Sequence, residues 1–221
     1  HKYLKESESD KKAVIVVTAN RGLAGGYNSN ITRMIIDEGF TKENTVVYAV
    51  GKKGRELLER KGYEIKADYS EAINDPIYKD AKEICDDVLS AFADGEVGEI
   101  YLAYTVFKNT VVHEPQLIRL LPVEADDAAH ETDGSEALMT YEPSEEEALD
   151  MIIPKYVCSL VYGALIESVA SENGARMQAM DSATSNAEEM ISTLSLKYNR
   201  ARQASITQEL TEIIAGANAI E

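Results

Sequence analysis

MQAMDSATSNAEEMISTLSLKYNRA, residues 177–201, decides the architecture. Met177, Met180, Thr184, Ala187, Ile191, Leu194, Tyr198 and Ala201 recur at alternating steps of three and four. That is the heptad seam of a helix that expects a partner helix. The helical pattern extends both ways. No proline follows Pro154, and the only later glycines are Gly163, Gly174 and Gly216. A helix from Lys155 to Ala219 would be roughly 100 Å long, more than a compact domain of this chain length can enclose. A Met or aromatic stripe at this spacing more often means ordinary core; the length argues otherwise here. Small residues dominate the seam and its flanks, among them Ala170, Ser171, Ala175, Ala179, Ser182 and Ala183. A strong zipper would use Leu and Ile. This rod suits a place where it fits closely without being glued.

Upstream, strand and helix patterns alternate. Ala13–Thr18 and Thr45–Val50 are continuous apolar, β-branched runs, as in strands buried on both faces of a parallel sheet. Residues 63–66 form a short candidate strand, and Glu99–Val106 a strong one. Pro76 opens a helix with Ile77, Ala81, Ile84, Cys85, Val88, Leu89 and Phe92 on one stripe. Lys108-Asn109-Thr110 makes a turn, and 111–121 returns as an antiparallel strand edged by Pro115. The alternation predicts an α/β domain with a mixed, mainly parallel sheet covered by helices, followed by the long C-terminal helix. Ser144 with Glu147 is a capping box for the final helical region. Pro154, ten residues on, either kinks that helix or opens a second one. The expected division is a flexible tail 1–12, an α/β domain 13–123, an acidic loop 124–143 and the long helix 144–221.

Arg21-Gly22-Leu23-Ala24-Gly25-Gly26-Tyr27-Asn28 lies between the first strand and a helix, the position of a nucleotide loop. The spacing is wrong for one. It is G-x-x-G-G, not G-x-G-x-x-G, and no Gly-Lys-Ser/Thr follows. The next strand ends in Gly51-Lys52, not in the acid that holds a ribose. Gly22, Gly25 and Gly26 read better as a tight turn with positive φ and close backbone packing. An α/β enzyme binding a nucleotide through Gly22–Gly26 is the alternative reading, and a self-associating coiled-coil scaffold a third.

The net charge of −17 disfavours nucleic acid as a partner. Between Arg119 and Lys155 there is no Lys or Arg but there are eleven acids, from Glu124 to Asp150. Such a run is ordinarily a solvated loop; the other reading is a docking face for a basic surface. No run of eighteen apolar residues indicates a membrane span. Cys85 and Cys158 form no CxxC and read as separate buried residues in a reducing compartment, so no thiol regulation is expected. His113 and His130 have no ligand-spaced neighbours; no metal or cofactor is expected, and no catalytic constellation is visible.

Two stretches carry a family resemblance. Residues 201–219, ARQASITQELTEIIAGANA, resemble the C-terminal signature of the gamma subunit of F-type ATP synthases, matched at Ile206, Thr207, Glu209, Glu212, Gly216 and Ala217. The Arg-Gly-Leu-x-Gly-Gly-x-Asn turn at 21–28 resembles the family's second motif. The resemblance implies a Rossmann-like domain not known for nucleotide binding. It also implies a C-terminal helix that forms an antiparallel coiled-coil shaft with an N-terminal helix expected to precede His1. It implies a central-stalk rotor that couples ion-driven c-ring rotation to conformational cycling of the catalytic beta subunits, without a catalytic site of its own.

Arg176, Gln203, Thr207 and Glu209 would then contact the beta subunits, and Gly216 and Ala217 would sit in the apolar bearing. Tyr141 and Glu142 would form the foot on the c ring. The implied partners are the alpha and beta subunits, the epsilon subunit and the c ring, with no direct membrane insertion. The implied place is peripheral, on the cytoplasmic face of a bacterial plasma membrane.

Overall fold

In the computed structural model, residues 3–4, 9–123 and 144–220 are described. The expected foot residues Tyr141 and Glu142, and the whole acidic stretch 124–143, lie outside them, as does His130. The elements are β1 (Lys12–Val17), α1 (Tyr27–Asp37), β2 (Thr45–Val50), α2 (Lys52–Arg60), β3 (Glu64–Asp68), a 3-10 turn (Ser70–Ile73), α3 (Tyr78–Ala93), β4 (Glu99–Phe107), β5 (His113–Leu121) and α4 (Glu145–Asn218). They divide into two units, His1–Gln178 and Ala179–Glu221.

The first unit is built on a five-stranded sheet in the order β3-β2-β1-β4-β5. β1 pairs in parallel with both β2 and β4, and β2 with β3, while β4 and β5 are antiparallel. The mixed, mainly parallel α/β sheet expected from the sequence is therefore present. β1 and β2 are its centre, and their uninterrupted apolar runs follow from burial on both faces. β3, at one edge, alternates exposed and half-buried residues instead. Pro115 sits on the other edge strand, opposite Thr105, where its missing N–H costs the ladder least.

Strand alternation divides the core in two. Ala13, Ile15 and Val17 face α3 and α4, with Ile84, Val88, Leu102, Val161 and Leu165. Val14 and Val16 face α1 and α2, with Ile31, Ile35 and Leu58. The inward stripe of α4 here is Ile153, Val157, Cys158, Val161, Ala164 and Leu165, spaced to keep one side of a helix on the sheet.

Two expectations change. Tyr3 falls in the stretch read as a flexible tail. It is 7% exposed, stacks on Phe92 with ring centroids 6.3 Å apart, and its carbonyl accepts from the Val123 N–H at 3.2 Å. The aromatic ring holds Tyr3 itself against the core. The helix expected to open at Pro76 opens at Tyr78, where the Asp80 carboxylate accepts from the Ile77 N–H at 3.0 Å. At Pro154 the structure selects between the two alternatives: a single helix contains the proline, and Ile153 and Val157, buried on the sheet to either side, carry the helix through it. The Ser144 hydroxyl caps α4 by accepting from the Glu147 N–H at 3.3 Å.

In the second unit α4 continues to Asn218, and every residue from Asp181 to Ile220 is exposed.

Candidate functional site

The glycine loop begins where β1 ends. The Thr18 hydroxyl donates to the Gly51 carbonyl at 3.2 Å and accepts from the Gly54 N–H at 2.9 Å, tying the exits of β1 and β2 together. The Asn28 side chain closes the loop. Its oxygen accepts from the Ala19 N–H at 2.8 Å, and its NH2 group donates to the Arg21 carbonyl at 3.5 Å. Of the three loop glycines only Gly25 has positive φ, at 56°. The other such residue is Leu23, at 62° and 74% exposed. A bulky residue held there is uncommon. Gly26 is instead the residue before α1, with φ −84°. The sequence expectation of positive φ thus holds for Gly25 alone.

What fills the space above the loop is α4. Tyr27 is buried, and its hydroxyl donates to the Ser168 carbonyl at 3.1 Å. Ala19, Ala24 and Tyr27 pack on Ala175. The Arg176 guanidinium donates to Glu172 at 2.6 Å and reaches the Gly22 carbonyl at 3.5 Å. One strand over, the Ser171 hydroxyl donates to the Thr105 carbonyl at 3.2 Å. Residues 168–176 therefore lie across the carboxyl ends of β1 and β4.

That location matters because strand order reverses between β1 and β4. An open α/β sheet ordinarily receives its ligand at this switch point. Here the helix stands in the crevice. A cleft of about 350 Å³ remains beside it, lined by Asn20, Arg21, Asn74, Glu172, Asn173 and Arg176. Asn20 is already engaged, donating to the Ser70 carbonyl at 2.7 Å and to the Asn74 side-chain oxygen at 2.9 Å, and accepting from the Lys52 N–H at 2.9 Å.

The outward side of α4 in the first unit carries Ile152, Tyr156, Ile166 and Met177, all exposed. They sit on the heptad steps counted back from the seam, with small or polar residues at Ser159, Gly163, Ala170 and Asn173 between them. The sequence reading began the seam at Met177 and so missed its first half. One 18-residue window of this helix, of mean hydropathy 1.5, is apolar enough by length and composition to cross a membrane. An unbroken apolar run was the criterion used on the sequence, and it does not register such a window. Its apolarity has a local cause: one stripe packs on the sheet and the opposite stripe is the seam.

In the second unit Met180, Ile191, Leu194 and Tyr198 are likewise exposed. Gln203, Thr207, Glu209, Gly216 and Ala217 lie on the exposed helix beyond them. Arg176 differs from these, being tied to Glu172 and the glycine loop. Among the described residues no group of three or more His, Cys, Asp or Glu side chains is placed to hold a metal.

A family model described as ATP synthase matches residues 1–220. The ATP synthase gamma chain of Lachnoclostridium phytofermentans is 66% identical over 100% of this chain and 78% of its own. The chain belongs to the ATP synthase gamma family. The gamma chain of Alkaliphilus metalliredigens is 43% identical over 100% of this chain and 78% of its own. Among solved structures, the fold is shared with a chain of the Euglena gracilis mitochondrial ATP synthase (OSCP/F1/c-ring). That match has a TM-score of 0.71 and 20% identity, covering 99% of this chain and 78% of that one. The gamma-family loop at 21–28, met first as a possible nucleotide loop, is in this fold a seat for the long helix. Of the residues that hold α4 there, Ser168 and Glu172 were not singled out from the sequence, and Tyr27 and Ser171 were named only as part of the motif and of the small-residue flank. The signal for Tyr27 was the motif itself; Ser168 and Glu172 carry none without knowing where α4 lies.

Proposed function

We propose that this chain is the central-stalk rotor of an F-type ATP synthase, transmitting c-ring rotation to the beta subunits through α4. The observation that carries this reading is the division of α4. Residues 168–176 are bonded to the carboxyl end of β4 and to the glycine loop and first residue of α1 that follow β1, while Asp181–Ile220 are exposed among the described residues. A helix anchored over one stretch and bare over another is suited to bear load between two bodies. Its differential contacts then bias the states of the surrounding sites.

In this reading Gln203, Thr207 and Glu209 meet the beta subunits, and Gly216 and Ala217 occupy the bearing made by the alpha and beta subunits. The seam from Ile152 to Ala201 takes a second, antiparallel helix. Tyr141 and Glu142 form the foot on the c ring, and the α/β domain also binds epsilon. Arg176 serves first as part of the bracket, and contact with a beta subunit is its second role. In this reading 13–123 is the α/β domain, 124–143 the loop and foot, and 144–221 the shaft. The chain has no catalytic site of its own; support comes from the switch-point crevice, which α4 occupies. It works peripherally, on the cytoplasmic face of a bacterial membrane.

Reconstitution tests the proposal. The full-length chain is mixed with matched alpha and beta subunits and ATP hydrolysis is assayed, then repeated with Gln203→Ala plus Thr207→Ala. Assembly into an active complex that the double change weakens is the expected outcome. Failure to assemble with intact partners would overturn the rotor reading.

A further inference from the structure

The chain has two cysteines, far apart in sequence, and the fold puts them on facing helices. Cys85 lies on the inner stripe of α3 and Cys158 on that of α4, in the same core cluster, 2% and 4% exposed. Tyr78, two turns before Cys85 on α3, meets Tyr162, one turn beyond Cys158 on α4. Their rings stand edge to face with centroids 5.8 Å apart. α3 and α4 are therefore in side-chain contact at this level. The Cys158 thiol interacts with both the Cys85 thiol and the Tyr78 hydroxyl. Burial, and then the neighbouring Cys158, pushes the Cys85 thiol far above its ordinary range. Both groups are closed to solvent while the interface is shut, so neither is a reactive surface cysteine. Both cysteines are buried, as the sequence reading expected, and they are neighbours.

We propose that Cys85 and Cys158 are a latent disulfide, an oxidation-sensitive staple between α3 and α4 that closes when a small-molecule disulfide reaches the pair during local opening. In the first step one cysteine thiolate attacks the reagent's S–S bond and expels a thiolate, leaving a mixed disulfide. In the second step the other cysteine attacks the protein sulfur of that bond and expels the second thiolate. The two protons from the cysteines end on the two small thiols released. The protein is oxidised by two electrons and the reagent reduced by two. The product ties α4 covalently to a helix of the α/β domain and suppresses the opening that admitted the reagent. This inference does not depend on the rotor reading.

The test uses the complete chain in its assembled complex, incubated with oxidised glutathione and quenched with an alkylating agent. Non-reducing peptide mapping then reads the product. The expected result is a Cys85–Cys158 linked peptide pair, lighter by two hydrogens, with amide exchange in α3 around Cys85 slowed at least about tenfold relative to the reduced sample. Glutathione adducts on either cysteine without the cross-link would overturn the proposal. So would two free thiols in the native complex under conditions that oxidise the unfolded chain. The wild-type sequence serves throughout, so no variant has to fold.

Discussion

A methyl group on Gly174 would lie 2.5 Å from Cε1 of His113 and 3.0 Å from its Nε2. α4 crosses the start of β5 at that point, backbone against imidazole. His113 is stacked obliquely on Phe107, with ring centroids 5.9 Å apart, and both ring nitrogens are buried without a hydrogen-bond partner among the described residues. The ring thus acts by shape, as the floor on which the helix is seated.

Gly174→Ala should therefore lift α4 off the sheet. A cost of about 1–3 kcal/mol is expected from overpacking, read as a lower urea midpoint of the first unit. Helix propensity alone would favour alanine by about 1 kcal/mol, so the sign of the change separates the two effects. Adding His113→Ala should return part of the loss. A double-mutant cycle with no coupling would mean that the helix and ring are not in contact.

Gly51 is constrained differently. It ends β2 with φ 119°, and a Cβ there would lie 2.1 Å from the Thr18 carbonyl oxygen. The obstructing atom belongs to the main chain at the exit of β1 and cannot rotate away. Gly51→Ala should cost more than about 4 kcal/mol, read as loss of cooperative unfolding or of soluble chain. Thr18→Ala in the same background should not restore folding, because removing the hydroxyl at 2.6 Å leaves the main-chain clash at 2.1 Å. Recovery would show that the Thr18 side chain was the obstacle.

The seam makes the opposite prediction. Ile191 and Leu194 are 63% and 62% exposed, so Ile191→Lys with Leu194→Lys removes little burial within the chain. The urea midpoint of the first unit should be unchanged, while capture of the full-length chain by alpha and beta subunits falls at least about tenfold. A lowered midpoint with normal capture would mean that the seam serves the chain's own folding.

Much of this was legible in advance because it is local. The apolar runs of β1, β2 and β4 carry their own burial pattern, and the heptad steps from Met177 carry theirs. The glycine loop was recognised but its purpose was only half read: the spacing excluded a phosphate, yet nothing in residues 21–28 says that a helix more than a hundred residues later will stand above them. The same holds for Tyr27, whose partner is a carbonyl, and for His113, whose partner is an absent side chain. Pro154 left two readings open because propensity speaks for one residue, whereas the stripe of Ile153, Val157, Val161 and Leu165 spans more than three turns and keeps one helix. The pairing of Cys85 with Cys158 is a property of two helices packed together and has no sequence signal.

Tyr27 gives the pH dependence that checks the seating of α4 on the loop. Burial holds its phenol neutral well above the ordinary pKa of 10.0. The folded value is therefore raised relative to the unfolded one. Below about pH 10 both states keep the proton and the contribution to stability is complete. Above that, the unfolded chain releases the proton and the folded chain does not, so stability falls as pH rises, by up to about 1.4 kcal/mol per pH unit from this group. Tyr27→Phe removes the donor to the Ser168 carbonyl and should cost about 0.5–1.5 kcal/mol at neutral pH. It should also lose this part of the alkaline slope, so the variant and wild-type stabilities converge between about pH 10 and pH 12. Tyr69 and Tyr48 are raised by burial as well, so the difference between the two proteins, not the absolute slope, is the quantity to measure. Urea unfolding of both at several pH values supplies it. Parallel curves would mean that Tyr27 ionises as freely in the folded chain as in the unfolded one, and that α4 does not close over the glycine loop.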